Sequence, residues 1–177
     1  MSRKAKSDWF MASAQLISED GAKKLTIDAL CKALQVTKGS FYHHFSGIDE
    51  FIEAYLVYFE QEGTLQIIEM VEQEQEPKAK LLKLIELATQ YPPQLERGTR
   101  AWAQQDSRVR EVFERVDQQR VEYVVSLWRP LVESESVARV QARTLYSILI
   151  GGEHLIPPLS REEHREVFNH YLEAIGL

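Results

Sequence analysis

The chain has a single cysteine, Cys31, among 177 residues. No disulfide can therefore form within it, and a reducing, cytoplasmic setting is expected. No apolar run approaches the roughly 20 residues that a membrane-spanning helix needs, so no membrane partner is expected. The opening MSRKAKSDWF holds basic side chains but neither an apolar core segment nor a small-residue cleavage site, which gives no reason to expect a secretory signal. The strict apolar–polar alternation of half-buried strands is missing. So are a glycine-rich phosphate loop, a nucleophile elbow and an HExxH pair. His164 and His170 stand six apart, off one another's helical face, and Glu153-His154 is an acid–base pair by sequence alone. With no motif for catalysis, a metal or a cofactor, an enzyme is not expected.

What the chain does have is apolar residues recurring every three or four positions almost throughout, the pattern of an all-α protein. Its net charge of −6 is unevenly shared. Residues 1–46 carry +3 and the remaining residues −9. A basic head on an acidic body favours contact with polyanions through one end only.

The spacing predicts a first helix from Lys4 to Glu19, closed by Gly21. Thr26 should cap a short second helix with Ile27, Leu30 and Leu34 inward. Gln35-Val36 makes a turn, and Thr37 should cap a third helix. Ser46 with Asp49 resembles a capping box opening a long helix over residues 47–75. Proline punctuates the middle of the chain: Pro77 begins a helix to residue 91, and Pro92-Pro93 begins another to residue 105. Asp106 should cap a helix reaching about residue 133, with Val109, Val112, Phe113, Val116, Val121, Val124 and Leu127 on its buried side and Pro130 bending or ending it. Residues 144–156 are apolar nearly all round and call for cover on several sides. Gly151-Gly152 would admit a closely packed helix. Ser160 and Glu163 have capping-box spacing for a last helix, whose stripe is Val167, Phe168, Tyr171, Leu172 and Ile175.

Residues 26–45, TIDALCKALQVTKGSFYHHF, form the most informative stretch. Two short helices joined by a tight turn suit the geometry in which a recognition helix lays its N-terminal residues into the major groove of double-stranded DNA. Thr37 can give a hydroxyl to a phosphate, and Lys38 an ammonium to a phosphate or to guanine O6/N7. Gly39 permits close approach, Ser40 can bond base or backbone, and the Tyr42 hydroxyl can reach a phosphate. Neighbouring helical residues point about 100° apart, so His43 and His44 cannot both face DNA, and His43 is the expected one. Phe41 and Phe45, four apart, read as core, and Cys31 as tightly packed. Arg3, Lys4 and Lys6 form either a solvated tail or a DNA-touching arm.

Residues 21–51 resemble the DNA-binding domain of TetR-family transcriptional regulators. The likeness is carried by Gly21, Thr26, the run Ala33-Leu34-Gln35-Val36-Thr37-Lys38-Gly39-Ser40, the run Phe41-Tyr42-His43-His44-Phe45, and Asp49-Glu50-Phe51. The resemblance implies an all-helical homodimer with a three-helix helix-turn-helix domain (residues 1–46) and a helical effector-binding and dimerisation domain (residues 47–177). It makes Thr26 a phosphate contact as well as a cap. It also implies a repressor that leaves an inverted-repeat operator when a small-molecule effector binds. The sequence departs from the family pattern at Gln35, where glycine is usual, and at Ile48, where lysine often reaches a phosphate.

For the effector, the aromatic and polar candidates on the middle helices are Tyr55, Phe59, Arg100, Trp102, Tyr123, Trp128, Tyr146 and His154. For the subunit interface they are Leu145, Ile148, Leu149, Gly151 and Gly152 with Val167, Phe168, Tyr171 and Leu172 of the last helix. The competing readings are a helical protein-interaction adaptor and, further off, a small helical enzyme.

Overall fold

The computed structural model describes residues 4–177. Among them there are helices and no strands, as the three- and four-residue periodicity requires. In chain order the helices are α1 (Lys6–Asp20), α2 (Ile27–Leu34), α3 (Lys38–Tyr42), α4 (Ile48–Glu60), α5 (Gln66–Val71), α6 (Pro77–Gln90), α7 (Pro93–Ala103), α8 (Ser107–Trp128), α9 (Glu135–His154) and α10 (Arg161–Ala174). Packing divides the chain into two compact units, residues 1–61 with 92–114, and residues 62–91 with 115–177.

The first unit is built on aromatic rings. Trp9 meets Phe41 edge-on at 5.4 Å between ring centroids. Phe10 lies 5.9 Å from Phe45 and 5.6 Å from Phe51. Phe41 and Phe45 are 5.3 Å apart. All five rings are buried, so α1 and α4 clasp the segment that carries α3. Helix α7 joins this unit because Gly98 lets it touch α1: a Cβ on Gly98 would stand 2.9 Å from the Ala14 carbonyl oxygen. That long-range packing is why the compact unit reaches beyond residue 61.

The second unit buries Leu81 and Ile85 of α6, Val124, Val125 and Trp128 of α8, Ala138, Ala142 and Leu145 of α9, and Phe168 and Leu172 of α10. A smaller cluster joins Ile67 and Val71 of α5 to Leu127. Gly152 is a contact point within this unit, since a Cβ there would overlap His164 Nε2 and fall 2.9 Å from Leu159 Cδ1. Gly151, by contrast, has no atom within 4 Å of a built Cβ.

Local signals mostly act as their spacing predicts. The Ala29 amide donates to Thr26 Oγ1 at 3.1 Å. Ser160 and Glu163 form the reciprocal box, with the Ser160 amide donating to Glu163 Oε2 at 2.7 Å and the Glu163 amide to Ser160 Oγ at 3.2 Å. Pro130 sits in a 3₁₀ turn (Arg129–Leu131) that ends α8. Two local expectations are corrected. The acid that answers Ser46 is Glu50, whose Oε2 accepts from the Ser46 amide at 2.7 Å and from its hydroxyl at 2.5 Å. With Gly47 as N-cap, the third helical residue is Glu50 rather than Asp49. The long helix also ends at Val71 rather than residue 75, and it carries a π-helical turn at Gln61–Leu65. Such a turn frees backbone groups from the regular ladder, and Arg120 takes one up, donating from Nη2 to the Gly63 carbonyl at 3.1 Å and from Nε to Thr64 Oγ1 at 2.9 Å.

Candidate nucleic-acid interface

Helix α2 turns its apolar side inward through Leu30 and Cys31, both buried. Burial raises the Cys31 thiol pKa above its usual value, with the Asp28 carboxylate adding to the effect, which suits the packing role expected of it. The helix closes on Gln35, which adopts the left-handed conformation (φ 55°, ψ 44°). The Gln35 amide donates to the Lys32 carbonyl at 3.2 Å and the Val36 amide to the Cys31 carbonyl at 2.9 Å, the hydrogen bonds of a Schellman closure. Glycine is the usual residue at such a position because it has no Cβ. Gln35 therefore accepts a backbone cost of about 1–2 kcal/mol to set the angle at which the chain enters α3.

Helix α3 is short and its two sides are unlike. Phe41 is wholly buried and Tyr42 is 55% exposed. Thr37, Lys38, Gly39 and His43 are exposed and Ser40 half-buried. Thr37 occupies the N-cap position, but its side chain makes no capping hydrogen bond; the expected cap is backbone only, the Ser40 amide donating to the Thr37 carbonyl at 3.0 Å. The hydroxyl is thus not committed to the helix end. Gly39 is not demanded by the fold, because an added Cβ would meet only Thr37 Oγ1 at an ordinary 3.6 Å. His43 and His44 differ in exposure: the His43 side chain is exposed, whereas His44 is half-buried with its ring 6.4 Å from that of Trp9, and the two imidazoles meet edge-on at 5.1 Å.

One charged partner escaped the sequence reading. Lys38 Nζ lies 2.8 Å from Asp28 Oδ1 of α2. The bond to that carboxylate raises the lysine pKa further above its already high value, so the ammonium is charged at any physiological pH. Lys6 begins α1 instead of lying in a tail, its Nζ 5.2 Å from the centre of the Phe45 ring. Lys4 precedes that helix, and Arg3 lies outside the described residues. Ile48 is half-buried as the first residue of α4.

The effector candidates fall four into each unit. In the first, the Tyr55 hydroxyl and Thr99 Oγ1 are 2.5 Å apart. Thr99 gives its own proton to the Leu95 carbonyl at 2.7 Å, which makes Tyr55 the donor. Burial raises the phenol pKa well above its usual value. Phe59 stacks on Phe113 at 5.2 Å, and Arg100 binds Glu96 at 2.8 Å while standing over the Phe113 ring at 4.4 Å. Trp102 is buried 6.0 Å from Tyr55. In the second unit, Tyr123 donates to Glu72 Oε1 at 2.7 Å and Trp128 is core. Tyr146 donates to Asp117 Oδ1 at 2.6 Å and receives Arg120 Nη1 at 3.4 Å. His154 is exposed, with Nδ1 2.8 Å from the Ile150 carbonyl. A shallow groove of 460 Å³ runs along α9, lined by Val140, Arg143, Thr144, Ser147 and Ile148, and none of the effector candidates lines it.

Residues 11–55 match the family model for bacterial regulatory proteins of the tetR family. The chain shares its fold with a TetR-family transcriptional regulator from Streptomyces coelicolor (TM-score 0.74, 18% identity, 96% of this chain and 93% of that one). The regulator PfmR from Thermus thermophilus gives a TM-score of 0.72 at 18% identity over 98% of this chain and 96% of its own. The family match thus covers the helix-turn-helix segment of the chain. A third structure with the same fold is assigned as a transcriptional regulator from Saccharomonospora viridis and holds choline (TM-score 0.75, 12% identity, 95% of each chain). At these identities the structural likeness is one of fold. No curated protein matches the chain in sequence. The tetR match begins inside α1 and ends inside α4, so it takes in both helices of the turn and parts of the two helices that clasp them. Among the described residues, no helix is long and apolar enough to cross a membrane, and no group of three or more His, Cys, Asp or Glu is placed to hold a metal ion.

Proposed function

We propose that this chain is a TetR-family transcriptional regulator, a repressor that binds an inverted-repeat operator as a homodimer and is released by a small-molecule effector. In this reading residues 1–46 read the DNA, while residues 47–177 bind the effector and supply the dimer contacts. The observation that carries it is the division of α3. Phe41 and Phe45 are locked into the aromatic core, and Thr37, Lys38, Gly39, Ser40, Tyr42 and His43 present hydroxyls, a positive charge and a side-chain-free backbone outward. Thr26 adds a hydroxyl at the start of α2, where helix N-termini favour phosphate. A two-fold protein presents two such helices in opposite senses, hence the inverted repeat. A small organic effector is in keeping with the choline held by the Saccharomonospora viridis protein. The operator lies where such a regulator works, in the cytoplasm.

The Tyr42→Ala variant tests the DNA contact. Tyr42 is exposed, so melting and subunit association should not change. A lost hydrogen bond to a charged phosphate is worth about 1.5–3 kcal/mol, so operator affinity should fall roughly ten- to hundredfold in a gel-shift titration. Unchanged affinity, or a dimer that dissociates, would show that Tyr42 has another role.

The dimer reading draws on the outer side of the last two helices. Leu145, Phe168 and Leu172 are buried within the subunit, and Gly152 packs on His164 of the same chain. The candidates left for a partner are Ile148, Leu149, Gly151, Val167 and Tyr171, which are half-buried or exposed, together with Val140 and Ile175, which also stay exposed. Paired leucine substitutions separate the two glycines. Gly152→Leu should lower stability by about 1–3 kcal/mol through overpacking, read as a lower denaturation midpoint. Gly151→Leu should leave the subunit's fold intact and shift sedimentation toward monomer. Equal melting of the two variants would contradict this assignment.

A further inference from the structure

Between residues 21 and 48 the chain carries Lys23, Lys24, Lys32 and Lys38, and a single acid, Asp28. That acid is placed on the lysine of the recognition helix: Lys38 Nζ and Asp28 Oδ1 are 2.8 Å apart, with both side chains largely exposed. Lys38 is the first residue of α3 and Asp28 the second of α2, so the pair spans the turn that Gln35 sets. It is not a sequence neighbour's accident of reach.

An ammonium has three N–H donors. One directed at Asp28 leaves two for DNA, and it fixes the orientation of a side chain that otherwise wanders over many rotamers. It also changes what the lysine does away from its proper site. Non-specific binding comes almost wholly from cations that displace counterions along the phosphate backbone, and a lysine already neutralised by a carboxylate contributes little to that. Direct readout of guanine O6/N7 depends on direction instead, which the pair supplies.

We infer that Asp28 is a specificity-determining residue of the DNA-reading surface, aiming Lys38 at a base edge while cancelling the charge it would lend to any phosphate. The inference rests on the DNA-reading function proposed above. It identifies a residue that opposes DNA in general in order to favour one sequence, a device of discrimination by penalty as well as by contact.

The test compares two duplexes of equal length, one selected from a random pool by the wild-type chain and one of mixed sequence, titrated across potassium chloride concentrations. With Asp28→Asn, affinity for the mixed duplex should rise roughly eightfold at about 0.1 M salt, with the slope of log affinity against log salt steeper by about one. Affinity for the selected duplex should not rise, so the ratio of the two falls by the same factor. Asp28→Glu, which keeps the charge, should behave as wild type. In a Lys38→Met background the effect of Asp28→Asn on the ratio should vanish, as coupling between the two requires. The melt of each variant should match wild type, because exposed ion pairs contribute little to stability. A ratio unchanged by Asp28→Asn, whether both affinities rise together or neither moves, would overturn the inference while leaving the regulator reading intact. A wild-type chain that binds no DNA at low salt would overturn both.

Discussion

Replacing Phe41 with alanine is expected to cost about 3–5 kcal/mol of stability and to abolish operator binding. The ring is wholly buried, edge-on to Trp9 at 5.4 Å and 5.8 Å from Phe51. Its removal opens a cavity where α1, α3 and α4 meet. A loss of that size is a large part of the roughly 5–15 kcal/mol by which a typical domain is stable. The loss should appear as a lower denaturant midpoint with little change of slope. Phe41→Leu, which refills most of the volume, should recover much of it. The contrast with Tyr42→Ala is the informative part: two adjacent aromatics of one short helix should fail in different ways, one through folding and one through contact. An unchanged midpoint for Phe41→Ala would mean that this cluster does not hold α3.

Trp128→Ala should cost a similar amount, about 3–5 kcal/mol, with no effector involved. Trp128 is fully buried among Val124, Val125, Ala138, Ala142 and Leu145, where a small side chain leaves a void the neighbours cannot fill. Its Nε1 has no hydrogen-bond partner among the described residues, so Trp128→Phe gives up no bond and should cost much less. Calorimetry of both variants without ligand decides between a core residue and a ligand wall. A Trp128→Ala chain that melts like wild type but no longer responds to effector would place the indole at the ligand instead.

How much of the fold and the site was legible in the sequence depends on the range of the interaction. Thr26 and the Ser160–Glu163 box could be read because a cap and its partner lie within one turn. The acid opposite Ser46 was misplaced by one residue because the capping partner is counted from the true helix start, and Gly47 rather than Ser46 takes the N-cap position. The π-helical turn at residues 61–65 left no local trace, since the group that satisfies Gly63 is Arg120, more than fifty residues away. Gly98 offered a faint signal, a glycine in mid-helix, whose meaning depends on α1 lying against it. Within the site, the exposed side of α3 could be foreseen from Phe41 and Phe45 being inward, because helical geometry then fixes where their neighbours point. Asp28 could not, because its bond to Lys38 crosses a turn whose angle is set by the conformation of Gln35. The aromatic effector candidates show the limit most plainly. Phe59, Trp102 and Trp128 have the composition of a ligand wall and the burial of a core, and composition alone does not separate the two.

Selection of DNA by the purified full-length chain from a random duplex pool, with binding titrations of the enriched sequence against salt, tests the central claim most directly. The account predicts an inverted repeat bound by two subunits, its half-sites one helical turn or a multiple apart, with affinity falling steeply as salt rises. A pool that shows no enrichment, or an enriched sequence that the chain fails to bind at low salt, would contradict it.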